Sequence, residues 1–136
     1  MNQFGLTFHH FGLAVSKPEK AIHFLNSMGY EIGEKVFDAL QNVNLKMCTG
    51  NEMPDVELIF PSETKGPLDK MLADRNEIIY HICYRTSNVN EALEKMKAGG
   101  NRLICVSKPK QAILFNNHPV SFYQVAGFGL IEFLEM

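Results

Sequence analysis

The chain has no tryptophan and only three cysteines among its 136 residues. Cys48, Cys83 and Cys105 are odd in number, widely spaced and never arranged as C-x-x-C. That pattern excludes a disulfide framework and zinc-finger spacing, and it fits reduced thiols in a cytoplasmic setting. Charge of neither sign dominates: 13 Lys and Arg against 15 Asp and Glu leave a net charge of −2. No basic field is available to hold nucleic acid or an anionic membrane surface. No apolar run approaches the ~18 residues of a membrane span, and "MNQFGLTFHH" has neither the charged nor the apolar region of a secretion signal. A Walker-type glycine loop, a G-x-S-x-G elbow and a Rossmann glycine fingerprint are all missing, which removes the common phosphate-loop, hydrolase and dinucleotide chemistries.

What is present is a composition suited to burial and an internal repeat. With 46% hydrophobic and 21% charged residues, residues 1–136 can form a single compact domain without disulfides or a structural metal. "HFGLAVSKPEKAIHFLNSMGYEI" from His10 aligns without a gap on "HICYRTSNVNEALEKMKAGGNRL" from His81, 71 positions later. His10 meets His81, Ser16 meets Ser87, Ala21 meets Ala92 and Gly29 meets Gly100. Each copy reads as an apolar strand, a turn with Ser plus Pro or Asn, and an amphipathic helix that ends at glycine. Ala21, Ile22, Leu25 and Met28 form one predicted apolar stripe; Ala92, Leu93 and Met96 form the other.

Short β-like runs follow each helix: "YEIGEKVF", "NVNLKMC" and "DVELIF" in the first half, "RLICVS", "AILF", "VSFYQV" and "GLIEFLE" in the second. The expected fold is α+β, with two paired βαβββ modules forming a curved sheet around a cleft. The first module is expected over residues 6–61 and the second over 77–136. Between them, "PSETKGPLDKMLADRN" breaks at Gly66-Pro67, and a linker with a short helix is expected over 62–76.

Strand alternation separates the two adjacent histidines of "FHHFGLAV". His10 shares a face with Gly12 and Ala14, whereas His9 falls with Phe11, Leu13 and Val15 on the bulky face that packs under a helix. His81 likewise shares a face with Cys83 and Arg85. The last strand of each half carries an acid in an apolar run, Glu57 in "VELIF" and Glu132 in "GLIEFLE". A buried carboxylate costs several kcal/mol unless it is paired or bound to metal.

A lone strand histidine is ordinarily a satisfied core residue, and a lone terminal-strand acid ordinarily protects an edge. Two repeat-matched histidines with two similarly placed acids instead predict a divalent-metal site of His10, Glu57, His81 and Glu132, open to Mn, Co, Ni, Fe or Zn. His23 is expected on a helix surface and His118 in a turn. Cys83 reads as a small buried hydrophobe, and Arg85 as either a surface charge or a receiver of a substrate oxygen.

At these residues the sequence resembles the vicinal oxygen chelate superfamily, which includes glyoxalase I, extradiol dioxygenases, bleomycin-resistance proteins and methylmalonyl-CoA epimerases. The epimerases are the most similar, through "HFGLAV", "VELIFPSETKGPLDKMLADRNEIIYHICY", "NVNEALEKMKAGG" and "GLIEFLE". The resemblance implies metal ligands at His10, Glu57, His81 and Glu132, and carboxylate bases, Glu132 first and Glu57 second. It also implies a small acyl-CoA substrate whose proton alpha to the thioester carbonyl is moved, and a homodimer. A glyoxalase-I-like lyase uses the same ligand types, and a resistance-type binding protein is the non-enzymatic alternative.

Overall fold

The computed structural model describes residues 2–136 and is sheet-rich α+β. The chain forms two compact units: His10–Tyr80, and His81–Met136 together with the N-terminal stretch up to His9. The division falls between the two adjacent histidines. Among the described residues no helix is long and apolar enough to cross a membrane.

The first unit runs through β1 (Thr7–Val15) from His10 onward, α1 (Glu19–Ser27), β2 (Glu31–Ile32), β3 (Val36–Asp38), β4 (Val43–Gly50), β5 (Met53–Pro61) and the four-residue α2 (Leu68–Met71). β1 pairs parallel with β5, β5 pairs antiparallel with β4, and both β2 and β3 pair antiparallel with β4. "YEIGEKVF" is therefore two short strands rather than one. The interruption is at Gly33, whose N–H donates to the Met47 carbonyl at 2.8 Å. A Cβ there would lie 2.5 Å from that oxygen, so the chain can make this approach only with glycine.

The second unit contains β6 (Glu77–Thr86) from His81 onward, α3 (Val89–Ala98), β7 (Leu103–Ala112), β8 (His118–Val125) and β9 (Gly129–Glu135). β6 pairs parallel with β9, and β9–β8–β7 continue antiparallel. "AILF" is not a strand. Ala112 ends β7, and Ile113–Phe115 make a 3-10 turn that closes on Asn116 and Asn117, both at positive φ (54° and 63°). Asparagine tolerates that conformation better than most residues, so the two together reverse the chain where an apolar run alone suggested extension.

The repeat reappears as matched local geometry. The Tyr30 N–H donates to the Leu25 carbonyl and the Asn101 N–H to the Met96 carbonyl, both at 3.0 Å. Between them stand Gly29 at φ +94° and Gly100 at φ +91°. Both helices thus end in the same left-handed glycine cap, 71 residues apart in sequence. Their starts differ: Asn88 caps α3 by accepting from the Glu91 N–H at 3.0 Å, while α1 follows Pro18 without a side-chain cap.

Each helix covers one sheet face. In the first unit Val15, Leu25, Tyr30, Cys48, Val56, Leu58 and Phe60 are buried together, with Phe11, Leu13, Ala21 and Ile22 packed against them. Met28, expected in that stripe, is exposed; it follows the last turn of α1 and has left the helix face. In the second unit Val89, Ala92, Leu93 and Met96 pack on Ile131 and Phe133, and Leu6 joins them. Burying each large side chain of this kind contributes about 1.5–3 kcal/mol.

Candidate metal-binding pairs

On the sheet face away from its helix, each unit carries one histidine beside one glutamate. Val56 and Leu58 point into the α1 core, so Glu57 between them points the other way. Ile131 and Phe133 pack under α3 and turn Glu132 outward in the same manner. The parallel ladders then set the register. Glu57 is the partner of Gly12, two residues beyond His10, and Glu132 is the partner of Cys83, two residues beyond His81. The histidine-to-glutamate relation is thus the same in both units.

His10 Nε2 lies 3.6 Å from Glu57 Oε1, and His81 Nε2 lies 3.3 Å from Glu132 Oε1. All four residues are buried, with 0 to 4% of their surface exposed. Metal–N and metal–O bonds of about 2.1 Å put neighbouring ligand atoms about 3.0 Å apart at a right angle and about 3.4 Å apart at the tetrahedral angle. Both observed separations are close to that span, so each pair can present two ligand atoms to one divalent ion. The donor set, imidazole nitrogen with carboxylate oxygen, suits Zn, Mn, Co, Ni or Fe.

Cys83 is fully buried with Ala112, Val120 and Leu134. Arg85 is exposed, at the wall of a surface cavity of about 300 Å³ shared with Phe4, Ser87 and Glu91. His23 is exposed on α1, and His118 opens β8 instead of sitting in a turn. His9 is half-buried, with its ring 5.4 Å from that of Phe115 at 86°.

Two further residues were not singled out by sequence, Asp38 and Phe122. Asp38 is buried, and its carboxylate accepts from the backbone N–H groups of Leu40 and Gln41 and from the Gln41 side chain at 3.0–3.2 Å. It secures the turn after β3. Phe122 is the ladder partner of Glu132, and its ring centroid lies 5.3 Å from that of His81 at 79°. The signal for Phe122 was the glycine-containing turn at Ala126–Phe128, which fixes the β8–β9 register.

Comparison with known proteins gives a family and a fold. A family model described as the Glyoxalase/Bleomycin resistance protein/Dioxygenase superfamily matches residues 9–122. No curated protein matches the chain in sequence. A methylmalonyl-CoA epimerase from Mycobacterium tuberculosis superposes with a TM-score of 0.79 at 20% identity, covering 99% of this chain and 91% of that one. A hypothetical protein from Bacillus halodurans gives 0.78 at 22% identity, covering 96% and 94%. A Streptomyces coelicolor methylmalonyl-CoA epimerase, in complex with 2-nitronate-propionyl-CoA, gives 0.69 at 19% identity, covering 96% and 97%.

Proposed function

The chain belongs to the glyoxalase/bleomycin resistance protein/dioxygenase superfamily, and from that premise we propose that it is a divalent-metal-dependent isomerase. It would move the proton alpha to the thioester carbonyl of a small acyl-CoA, as a methylmalonyl-CoA epimerase does. One observation carries this: two buried His–Glu pairs at the same ladder register, His10 with Glu57 and His81 with Glu132. Each of the four residues offers one ligand atom, and we propose that His10, Glu57, His81 and Glu132 together hold one ion. The fold similarity to epimerases, one of them holding an acyl-CoA analogue, supports the choice of substrate class.

A divalent ion held there would act as a Lewis acid toward a carbonyl oxygen. The proton transfer falls to the chain's own carboxylates. Glu132 is the first base: it accepts the proton from the alpha carbon, and inversion follows when a proton returns to the opposite face of the planar carbon. Glu57 is the second carboxylate able to carry that proton. The histidines remain ligands throughout, because a buried imidazole committed to a metal has no free lone pair for proton transfer. The resemblance to epimerases further leads us to propose a homodimer. The three cysteines, none of them in a disulfide, fit a reducing, cytoplasmic location.

The test is isotope exchange. The metal-loaded protein, incubated with methylmalonyl-CoA in deuterated water, is expected to place deuterium at C2. Absence of exchange together with turnover of a glutathione hemithioacetal would replace the isomerase by a glyoxalase-type lyase. Inactivity toward both would leave a small-molecule-binding protein.

A further inference from the structure

The two His–Glu pairs share a register but not their surroundings, and the difference is concentrated in one ring. Directly opposed residues of an antiparallel ladder point to the same face, with Cβ atoms about 4.5–5.5 Å apart. Across β8–β9 the residue opposed to Glu132 is Phe122; across β4–β5 the residue opposed to Glu57 is Met47. Both are half-buried. Phe122 does more than flank the carboxylate: its ring also stands nearly perpendicular to the His81 imidazole, centroids 5.3 Å apart at 79°. At that separation the two rings are in edge-on contact, and the phenyl restricts the room in which the imidazole can turn.

The first unit has a different side chain at the same place. Met47 is an unbranched side chain that adapts to its surroundings, where phenylalanine is a rigid plate with two side-chain torsions. The ladder partner on the other side of Glu57 is Gly12, which has no side chain, whereas Glu132 has Cys83 there, fully buried. Resting on the metal reading above, we propose that Phe122 is a positioning residue. It holds the His81 imidazole in its ligating orientation beside Glu132.

Three substitutions and two readouts decide this. Phe122→Leu keeps the apolar bulk and removes the ring; Phe122→Tyr keeps the ring; Met47→Leu makes a comparable change in the first unit. Cobalt(II) affinity, measured by chelator competition, is expected to fall about tenfold in Phe122→Leu, the scale seen when a residue supporting a metal ligand is lost. It should stay within about twofold in Phe122→Tyr and Met47→Leu, and the visible cobalt spectrum should change only in Phe122→Leu. In the metal-free protein, the His81 ring-proton resonances should carry an aromatic ring-current shift that Phe122→Leu abolishes and Phe122→Tyr keeps.

Wild-type affinity and an unchanged spectrum in Phe122→Leu would overturn the proposal. So would equal losses in the Leu and Tyr variants accompanied by a lower apo-protein unfolding midpoint, which would mark a packing role alone. If the wild-type chain takes up no cobalt, the metal reading fails by itself. The apo-protein resonances then still decide whether Phe122 orients His81.

Discussion

Glu132 stands opposite Cys83 in the β6–β9 ladder, in the register that sets Glu57 opposite Gly12 in the β1–β5 ladder. A strand shift of one residue in either ladder would turn the carboxylate into the helix-side core, because neighbouring side chains alternate faces. The two pairs are thus fixed by sheet registry as much as by residue identity.

The first prediction concerns metal content. Protein loaded with a divalent ion should retain it through gel filtration, and His10→Ala and Glu132→Ala should each lower the stoichiometry measured by elemental analysis. Undiminished metal in both variants would end the assignment. Stripping the ion should also lower the melting temperature, since a ligand present at about 100 times its Kd stabilises the folded state by about 2.7 kcal/mol.

Core and surface aromatics should part company. Phe133 is fully buried and Phe24 is 62% exposed. Phe133→Ala is expected to cost about 3–5 kcal/mol in urea unfolding, against less than about 0.5 kcal/mol for Phe24→Ala. Similar costs at the two positions would contradict the packing of β9 under α3.

The glycine caps are predicted to be equivalent. Gly29→Ala and Gly100→Ala force a Cβ into the left-handed region and should each cost about 1–2 kcal/mol. Neither position has a neighbouring atom within 4 Å of the added carbon, so the cost is conformational and not steric. A marked difference between the two would show that one cap is strained by its context.

Thiol chemistry gives a fourth check. Burial pushes the Cys48 thiol up from 9.0 to about 11, against a smaller lowering by Lys46. The folded state therefore favours the neutral thiol. Its contribution is fully present below about pH 9 and is lost as the pH rises through about 11. Cys48→Ala should flatten the alkaline fall in stability over that window. At neutral pH, Cys105 alone is exposed and should be the one thiol that a disulfide reagent modifies quickly. Rapid reaction of two or three thiols in the native protein would contradict the burial of Cys48 and Cys83.

The histidines were legible because they sit in the part of the repeat that needs no gap. The span from histidine to helix-capping glycine has the same length in the two copies, so the 71-residue offset carries from His10 to His81 and from Gly29 to Gly100. Glu57 and Glu132 are 75 residues apart, because the connections after the helices differ. They were found by the cost of an acid in an apolar run, and only the ladders show that they occupy the same register.

What sequence did not disclose depends on contacts between distant segments. The break at Gly33 arises from the Met47 carbonyl, and the ring on His81 arrives from a strand 41 residues later in sequence. "AILF" misled because a short apolar run fits an extended strand as well as a tight turn. The asparagine pair after it was the better guide.

The boundary between His9 and His10 bears on ancestry. Each half of the chain carries one imidazole and one carboxylate on its own ladder, so the repeated chemical unit is a His–Glu pair. On the proposed one-ion reading, a forebear encoding a single half would have needed a second copy to supply the other two ligands. Joining two copies in one chain removes that dependence on concentration and lets the halves diverge, as Phe122 and Met47 already have.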